Sequence, residues 1–284
     1  MNRVVTLLVF LLASILGFGQ MNLSTTPLEE VGMSAERLER LDEQMRGFVE
    51  RGELSGIHTL IYRKGKVVHE DIYGMSDVKR GNALSKDAMW RIYSMTKPIV
   101  SVGMMMLYEE GKFQLNDPLG KYLPGFMDMN VYKDGEGVIP AHNKIRVIDI
   151  LRHTSGLGYG WGGGGHVDSV YNSVQKWEMQ STGDFVDWLS EQPLYYEPGQ
   201  GWRYSVSTDV CGRLIEVLSG QPLDVYLKEK ILDPLGMDDT VFEVPSDKAS
   251  RFVTNYTSAK DGSGLRVIDH RSFSSFLVYL LKDR

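Results

Sequence analysis

The sequence predicts an α+β fold, and three observations predict it. An amphipathic helical pattern opens the globular part, two strand-like runs joined by a glycine-bearing connection follow, and a long, mostly helical stretch fills the middle. The 284 residues, 42% hydrophobic and 24% charged, can bury a substantial core as one enzyme-sized unit.

Met1-Asn2-Arg3, the apolar run 4–18 and the closing Gly17-Phe18-Gly19 have the layout of a secretory signal: charged start, short hydrophobic centre, small-residue cleavage site. Cleavage is expected after Gly19, leaving 20–284 as one domain. The run is at the short end for a bilayer span and a polar segment follows at once. The expected product is therefore secreted or periplasmic, with no stable membrane insertion once the signal is removed.

Past the signal, Leu38, Leu41, Met45, Phe48 and Val49 recur at helical spacing and predict a helix over 35–51. Residues 57–62 and 67–73 then read as strands flanking the Arg63-Lys64-Gly65-Lys66 connection. From about 85 to 237 the pattern is mostly helical with long loops. Within it, Ile99, Val102 and Met106, with Val100, Met104 and Leu107, mark a buried helix closed by Glu109-Glu110-Gly111.

At the mouth of that helix stands Tyr93-Ser94-Met95-Thr96-Lys97. A serine hydroxyl is a poor nucleophile by itself, and a lysine three positions on along a helix shares its face, near enough to take its proton. Such a base must be unprotonated, and burial is what disfavours an ammonium. Two other segments match Ser-x-x-Lys: Ser76 to Lys79, inside a Gly74-to-Gly81 stretch that reads as an exposed loop, and Ser173 to Lys176, with no clear apolar face beside it. Only Ser94 leads into a buried helix. Without further context, the same residues would serve as a helix cap and a snorkelling lysine.

Four ordered segments supply that context. They are Tyr93-Ser94-Met95-Thr96-Lys97; Leu115-Asn116-Asp117-Pro118-Leu119-Gly120-Lys121-Tyr122-Leu123-Pro124; Ile150-Leu151-Arg152-His153-Thr154-Ser155-Gly156-Leu157; and Pro198-Gly199-Gln200-Gly201-Trp202-Arg203-Tyr204-Ser205. In these segments, from about 32 to about 244, the chain resembles the class C β-lactamase and penicillin-binding-protein-like serine hydrolases, a group that includes esterases and D-aminopeptidases. Pro234-Leu235-Gly236-Met237 is similar to the family's turn after a helix.

The resemblance implies a β-lactamase/transpeptidase-like fold, an antiparallel sheet flanked by helices plus a mostly helical region. It also implies an acyl-enzyme mechanism. Ser94 would attack a carbonyl, Lys97 would be the neighbouring base, and Tyr204 would pass a proton toward the leaving group and later help activate the deacylating water. A phenol of pKa ~10 fits that post when a nearby ammonium lowers it. The turn before Tyr204 and the helix expected over 208–218 argue for a position facing a cleft. The motif containing His153 is expected to be structural.

Two departures shape the expectation. The family's tyrosine is usually followed two positions on by an asparagine that resembles an amide holder, and here that position is Val206. A substrate amide would lose a donor and an acceptor, at a cost of ~1–3 kcal/mol in a buried site, which favours esters over β-lactams and peptides. The second departure is the family's Lys-or-His, Thr-or-Ser, Gly triplet, which does not occur after Tyr204. Lys260-Asp261-Gly262 is the nearest approach. The expectation from the Phe273-to-Leu281 tail and the end at Arg284 is a truncated chain whose C-terminal strands are largely missing, leaving an exposed sheet edge.

Other chemistries find little support. The net charge of −6, without a basic block, argues against nucleic acid and anionic membranes as partners. The six histidines and single cysteine, Cys211, offer no short metal-ligand spacing and no internal disulfide, so neither metal nor cofactor is expected. Gly158, Gly160 and Gly163 match Gly-x-Gly-x-x-Gly formally, but no strand leads into them. The Gly-x-Ser-x-Gly elbow of α/β-hydrolases does not occur. Two functional readings stand: a serine hydrolase acting on an ester or small amide, esterase-like rather than β-lactamase, or a non-catalytic remnant that keeps the substrate cleft.

Overall fold

The computed structural model describes residues 27–161, 164–173, 179, 181–259, 262 and 264–268. The expected signal at 1–19, the tail at 273–281, and Lys260 and Asp261 lie outside the described residues. Among those described, 27–90 and 245–268 form one compact unit and 91–244 a second.

The first unit opens with helix α1 (Ala35–Glu50), whose start is fixed by Ser34: its hydroxyl accepts the Arg37 amide at 3.3 Å. Leu38 is buried, and Leu41, Met45, Phe48 and Val49 are half-buried, so the apolar stripe read from the sequence is the packed face. Strands β1 (Gly56–Arg63) and β2 (Lys66–Asp77) pair antiparallel, with Ile57 opposite Tyr73 and Leu60 opposite Glu70. Lys64 and Gly65 both have positive φ, +49° and +77°, the backbone that a two-residue hairpin needs to match strand twist. Strand β3 (Asn82–Ala83) adds to β2, giving the order β1-β2-β3.

One detail here differs from the sequence reading. Strand β2 runs on to Asp77, so Ser76 lies in a strand and not an exposed loop; its hydroxyl donates to the carbonyls of Asn82 and Ala83. Among the described residues strand β1 lies at one end of this sheet, and Leu60 and Tyr62 on it are exposed.

The second unit is built on helix α2 (Thr96–Glu109), entered through a 3₁₀ turn at Tyr93–Met95 and closed by Gly111 at φ +71°. A short hairpin of strands β4 (Asn130–Lys133) and β5 (Gly137–Pro140) interrupts the helical region; four residues a side are too few for alternation to register in the sequence. Helices α3 (Val147–Leu151), α4 (His166–Asn172), α5 (Thr182–Ser190), α6 (Ser207–Ser219) and α7 (Leu223–Leu227) follow. A π turn at Lys228–Leu232 leads into the Pro234-to-Met237 turn, where Gly236 has φ +65°.

Helices α2 and α6 form the centre of this unit, burying Val100, Met104 and Leu107 with Val210, Leu214 and Ile215. Gly103 allows α7 to approach α2: a Cβ there would lie 2.9 Å from Leu227 Cδ2. The chain then returns to the first unit with β6 (Tyr256–Ser258) and β7 (Leu265–Val267), which pair with each other. Among the described residues no helix is long and apolar enough to cross a membrane.

The Leu115-to-Pro124 segment folds around one carboxylate. Asp117 accepts hydrogen bonds from the Tyr122 hydroxyl, from Lys121 Nζ at 2.9 Å and from the Gln114 amide at 3.0 Å. These bonds, that from Tyr122 foremost, lower its pKa to about 2. A carboxylate depressed on folding contributes stability above its unfolded pKa of ~3.9, and that contribution is lost as pH falls through the folded value. Thermal melts from pH 5 to pH 2 are expected to show a fall in stability between about pH 4 and about pH 2 that is smaller in Asp117→Asn; an identical acid limb in the variant would refute the assignment.

Candidate active site

Ser94 occupies the 3₁₀ turn that runs without a break into α2. The amides that follow it are used within the turn: the Met95 N–H donates to the Ile92 carbonyl at 2.9 Å and the Thr96 N–H to the Tyr93 carbonyl. The preceding residue, Tyr93, holds a left-handed backbone at φ +43°, uncommon for an aromatic side chain and confined to a single residue at the nucleophile. The helical spacing puts Lys97 Nζ 3.5 Å from Ser94 Oγ. Lys97 is half-buried rather than enclosed, and its ammonium lies 4.5 Å from the centre of the Tyr204 ring.

Tyr204 reaches the same point from the irregular segment before α6, and its hydroxyl is 2.5 Å from Ser94 Oγ. Burial alone would raise the phenol's pKa, but the hydrogen bonds from Lys97 and Ser94 and the Lys97 charge outweigh it, and the net shift is downward. The three sequence candidates therefore meet around one oxygen. Tyr204 is the closer of the two partners of that oxygen.

What holds Tyr204 there is the turn 153–156. The His153 carbonyl accepts from the Arg203 amide at 3.0 Å, the Thr154 carbonyl from Gly199 at 2.8 Å, and the Gly156 carbonyl from Tyr195 at 2.8 Å. Side chains add a second strip of bonds: His153 Nδ1 to Ser205 Oγ at 3.0 Å, Ser205 Oγ to Ser207 Oγ at 2.7 Å, and Ser207 Oγ to Ser155 Oγ at 2.9 Å. Gly156 must be glycine, because φ is +88° and a Cβ would stand 2.4 Å from the Tyr196 carbonyl. Burial, then the nearby Lys97 charge, lowers the His153 pKa, so the imidazole is neutral at pH 7. The structural role expected of His153 is the one it has.

The turn is in turn anchored by Asp149, fully buried in α3. Its carboxylate accepts from the Arg146 amide at 3.0 Å, from Arg146 Nε and Nη2 at 3.1 and 3.2 Å, and from Thr154 Oγ1 at 2.8 Å. Arg146 is 42% exposed and can be rehydrated, so losing the carboxylate costs less than stranding a buried charge. Asp149→Ala is expected to lower stability by about 2–3 kcal/mol, measured by urea unfolding. A loss below about 0.5 kcal/mol would show that the anchor is dispensable.

Sequence reasoning missed three contributors. Asp149 could have been found from its capping-box spacing after Arg146. The buried Ser205–Ser207 pair carries no recognisable spacing. Tyr159 sits between two glycines in a loop read as a formal phosphate motif, yet it is buried, and its hydroxyl lies 3.2 Å from Lys97 Nζ. That loop leads into α4, a helix the sequence reading did not assign. The decoy Ser173 is the cap residue after α4, and its Lys176 lies outside the described residues.

Val206 is also placed differently from the expectation. It is fully buried in the α2–α6 core, and its carbonyl accepts the Asp209 and Val210 amides, so it acts as apolar packing at the start of α6. Among the described residues, no group of three His, Cys, Asp or Glu side chains could hold a metal ion.

Comparison with known proteins bears on the family and the fold. The Beta-lactamase family description matches residues 41–273. Esterase EstB of Burkholderia gladioli is 31% identical over 225 residues, 76% of this chain and 54% of its own length. A putative D-alanyl-D-alanine carboxypeptidase of Salmonella typhimurium is 31% identical over 232 residues, 78% of this chain and 50% of its own. The chain thus spans about half the length of these curated relatives. Among solved structures, EstCE1, a hydrolase with promiscuous acyltransferase activity, superposes with a TM-score of 0.70 at 22% identity, covering 87% of this chain and 67% of that one.

Proposed function

The chain belongs to the beta-lactamase family, and from that premise we propose that it is a secreted serine hydrolase that forms an acyl-enzyme on esters in preference to β-lactams. The observation that carries this reading is the meeting of Tyr204 Oη and Lys97 Nζ at Ser94 Oγ.

The roles follow from the distances. Ser94 Oγ attacks the substrate carbonyl carbon while its proton passes to the Tyr204 oxygen, whose deprotonated form Lys97 favours. Tyr204 returns the proton to the leaving oxygen as the tetrahedral intermediate collapses, giving acyl-Ser94 and the free alcohol. Water then attacks the acyl carbon with Tyr204 taking its proton, and Tyr204 returns that proton to Ser94 Oγ as the acyl–oxygen bond breaks, freeing the acid.

The ester preference is supported by the similarity to an esterase. Export is supported by the Met1-to-Gly19 pattern alone.

A fluorophosphonate probe is expected to label folded protein at Ser94, located by peptide mass spectrometry, and a short-chain phenyl ester is expected to be hydrolysed faster than a chromogenic cephalosporin. Absence of labelling in folded protein would replace this reading with a non-catalytic one. Equal rates on the two substrates would remove the ester preference.

A further inference from the structure

The catalytic phenol lies at the middle of a continuous band of rings. Tyr204 packs against Tyr159 at 5.4 Å between centroids and against His153 at 5.1 Å. Outward on one side, Trp161 stacks flat on Tyr159, 4.2 Å away with the planes 9° apart. Outward on the other, Trp202 meets His153 edge-on at 6.3 Å. Each end of the band is an indole, and each indole is one ring removed from the phenol that touches Ser94.

These two indoles are unusually open. Trp161 is 68% exposed and Trp202 66%, whereas Trp188 of the same unit is packed against Tyr171 and Phe185. Tryptophan carries a large apolar surface whose exposure costs free energy, so exposed tryptophans concentrated at one place mark a surface that something covers. Met95, next to the nucleophile, is 64% exposed, and Tyr93 is 45% exposed. The ring faces are neutral: burial and the Lys97 charge keep His153 unprotonated.

We propose that Trp161 is a specificity-determining residue that binds a flat aromatic group of the ester on its exposed face. Trp161 already offers one face to Tyr159, so an aromatic ring on its other face extends the stack, while the Tyr159 hydroxyl at Lys97 keeps that stack in register with Ser94. The aromatic group can belong to the acid or to the alcohol of the ester; the chemistry of recognition is the same.

The proposal rests on the ester-hydrolase reading, and two measurements separate the failure of one from the failure of the other. The first compares ethyl acetate, ethyl 3-phenylpropanoate and 2-phenylethyl acetate by pH-stat. At least one phenyl ester is expected to have the higher kcat/KM. In Trp161→Ala its ratio to ethyl acetate should fall by roughly 2- to 12-fold, the range for loss of one aromatic pair, and Trp161→Phe should restore most of it. The two phenyl esters identify which arm is bound.

The second measurement needs no turnover: calorimetric binding of the same three esters to Ser94→Ala. A phenyl ester should bind several-fold more tightly than ethyl acetate, with the difference lost in the Ser94→Ala/Trp161→Ala double variant. Ratios that are equal with and without Trp161 overturn the proposal even when Ser94 acylates readily. Tighter phenyl-ester binding that depends on Trp161 upholds it even when no ester is hydrolysed.

Discussion

Ser94→Ala is expected to abolish acylation by a fluorophosphonate and to reduce ester turnover by ~10⁴-fold or more, because without the oxygen there is no covalent intermediate for Lys97 and Tyr204 to serve. The fold should be unaffected: Ser94 is exposed, and its side chain meets only Tyr204 and Lys97 within hydrogen-bonding range among the described contacts. The check is a pair of measurements on one preparation, probe labelling and the thermal midpoint. A variant that retains more than ~1% of wild-type kcat/KM would move the nucleophile elsewhere.

Tyr204→Phe is expected to lower kcat by ~10²–10⁴-fold, the usual contribution of a positioned acid–base group. Its packing between Tyr159 and His153 would survive, since only the hydroxyl is removed. The pH dependence gives the sharper result. The working form of Tyr204 is the phenolate, and its pKa in the folded protein lies below 10. The rate should therefore rise with pH along a limb that levels off below pH 10. Lys97→Gln removes the charge and bond that oppose burial, so the limb should move upward as well as the rate falling. If the limb persists unchanged in Tyr204→Phe, it belongs to another group.

The two variants separate the roles of serine and phenol, which no single substitution does. Groups that act as a unit show strongly non-additive losses, so the Ser94→Ala/Tyr204→Phe double variant should be little worse than Ser94→Ala. The smaller effects at Asp149 and Asp117 report on the frame instead. Asp149 fixes the turn that carries Tyr204, and Asp117 ties its own segment together at neutral pH.

Much of this frame was legible in the linear pattern because it depends on local spacing. The α1 stripe, the β1–β2 hairpin, the α2 helix with its Gly111 stop and the α6 helix are all set by side chains within one turn or one hairpin of each other. Ser94 and Lys97 share a helical face for the same reason, so their approach to 3.5 Å follows from the backbone that their neighbours form. The β4–β5 hairpin and α4 escaped because each spans too few repeats of its period for the pattern to stand out.

The sequence alone thus determined a family, a serine one helical turn before a lysine, and a tyrosine far along the chain. Only the tertiary structure decided that Tyr204 is the group nearest to the Ser94 oxygen, 110 positions away, and that His153, Ser205, Ser207 and Ser155 hold it there. It also turned Val206 inward and lined up Trp161, Tyr159, Tyr204, His153 and Trp202 as one band. The physical reason is range. Periodicity records what a residue does to its own helix or strand, whereas pairings across loops are set by close packing and by the need to satisfy every buried polar group, which no local spacing encodes.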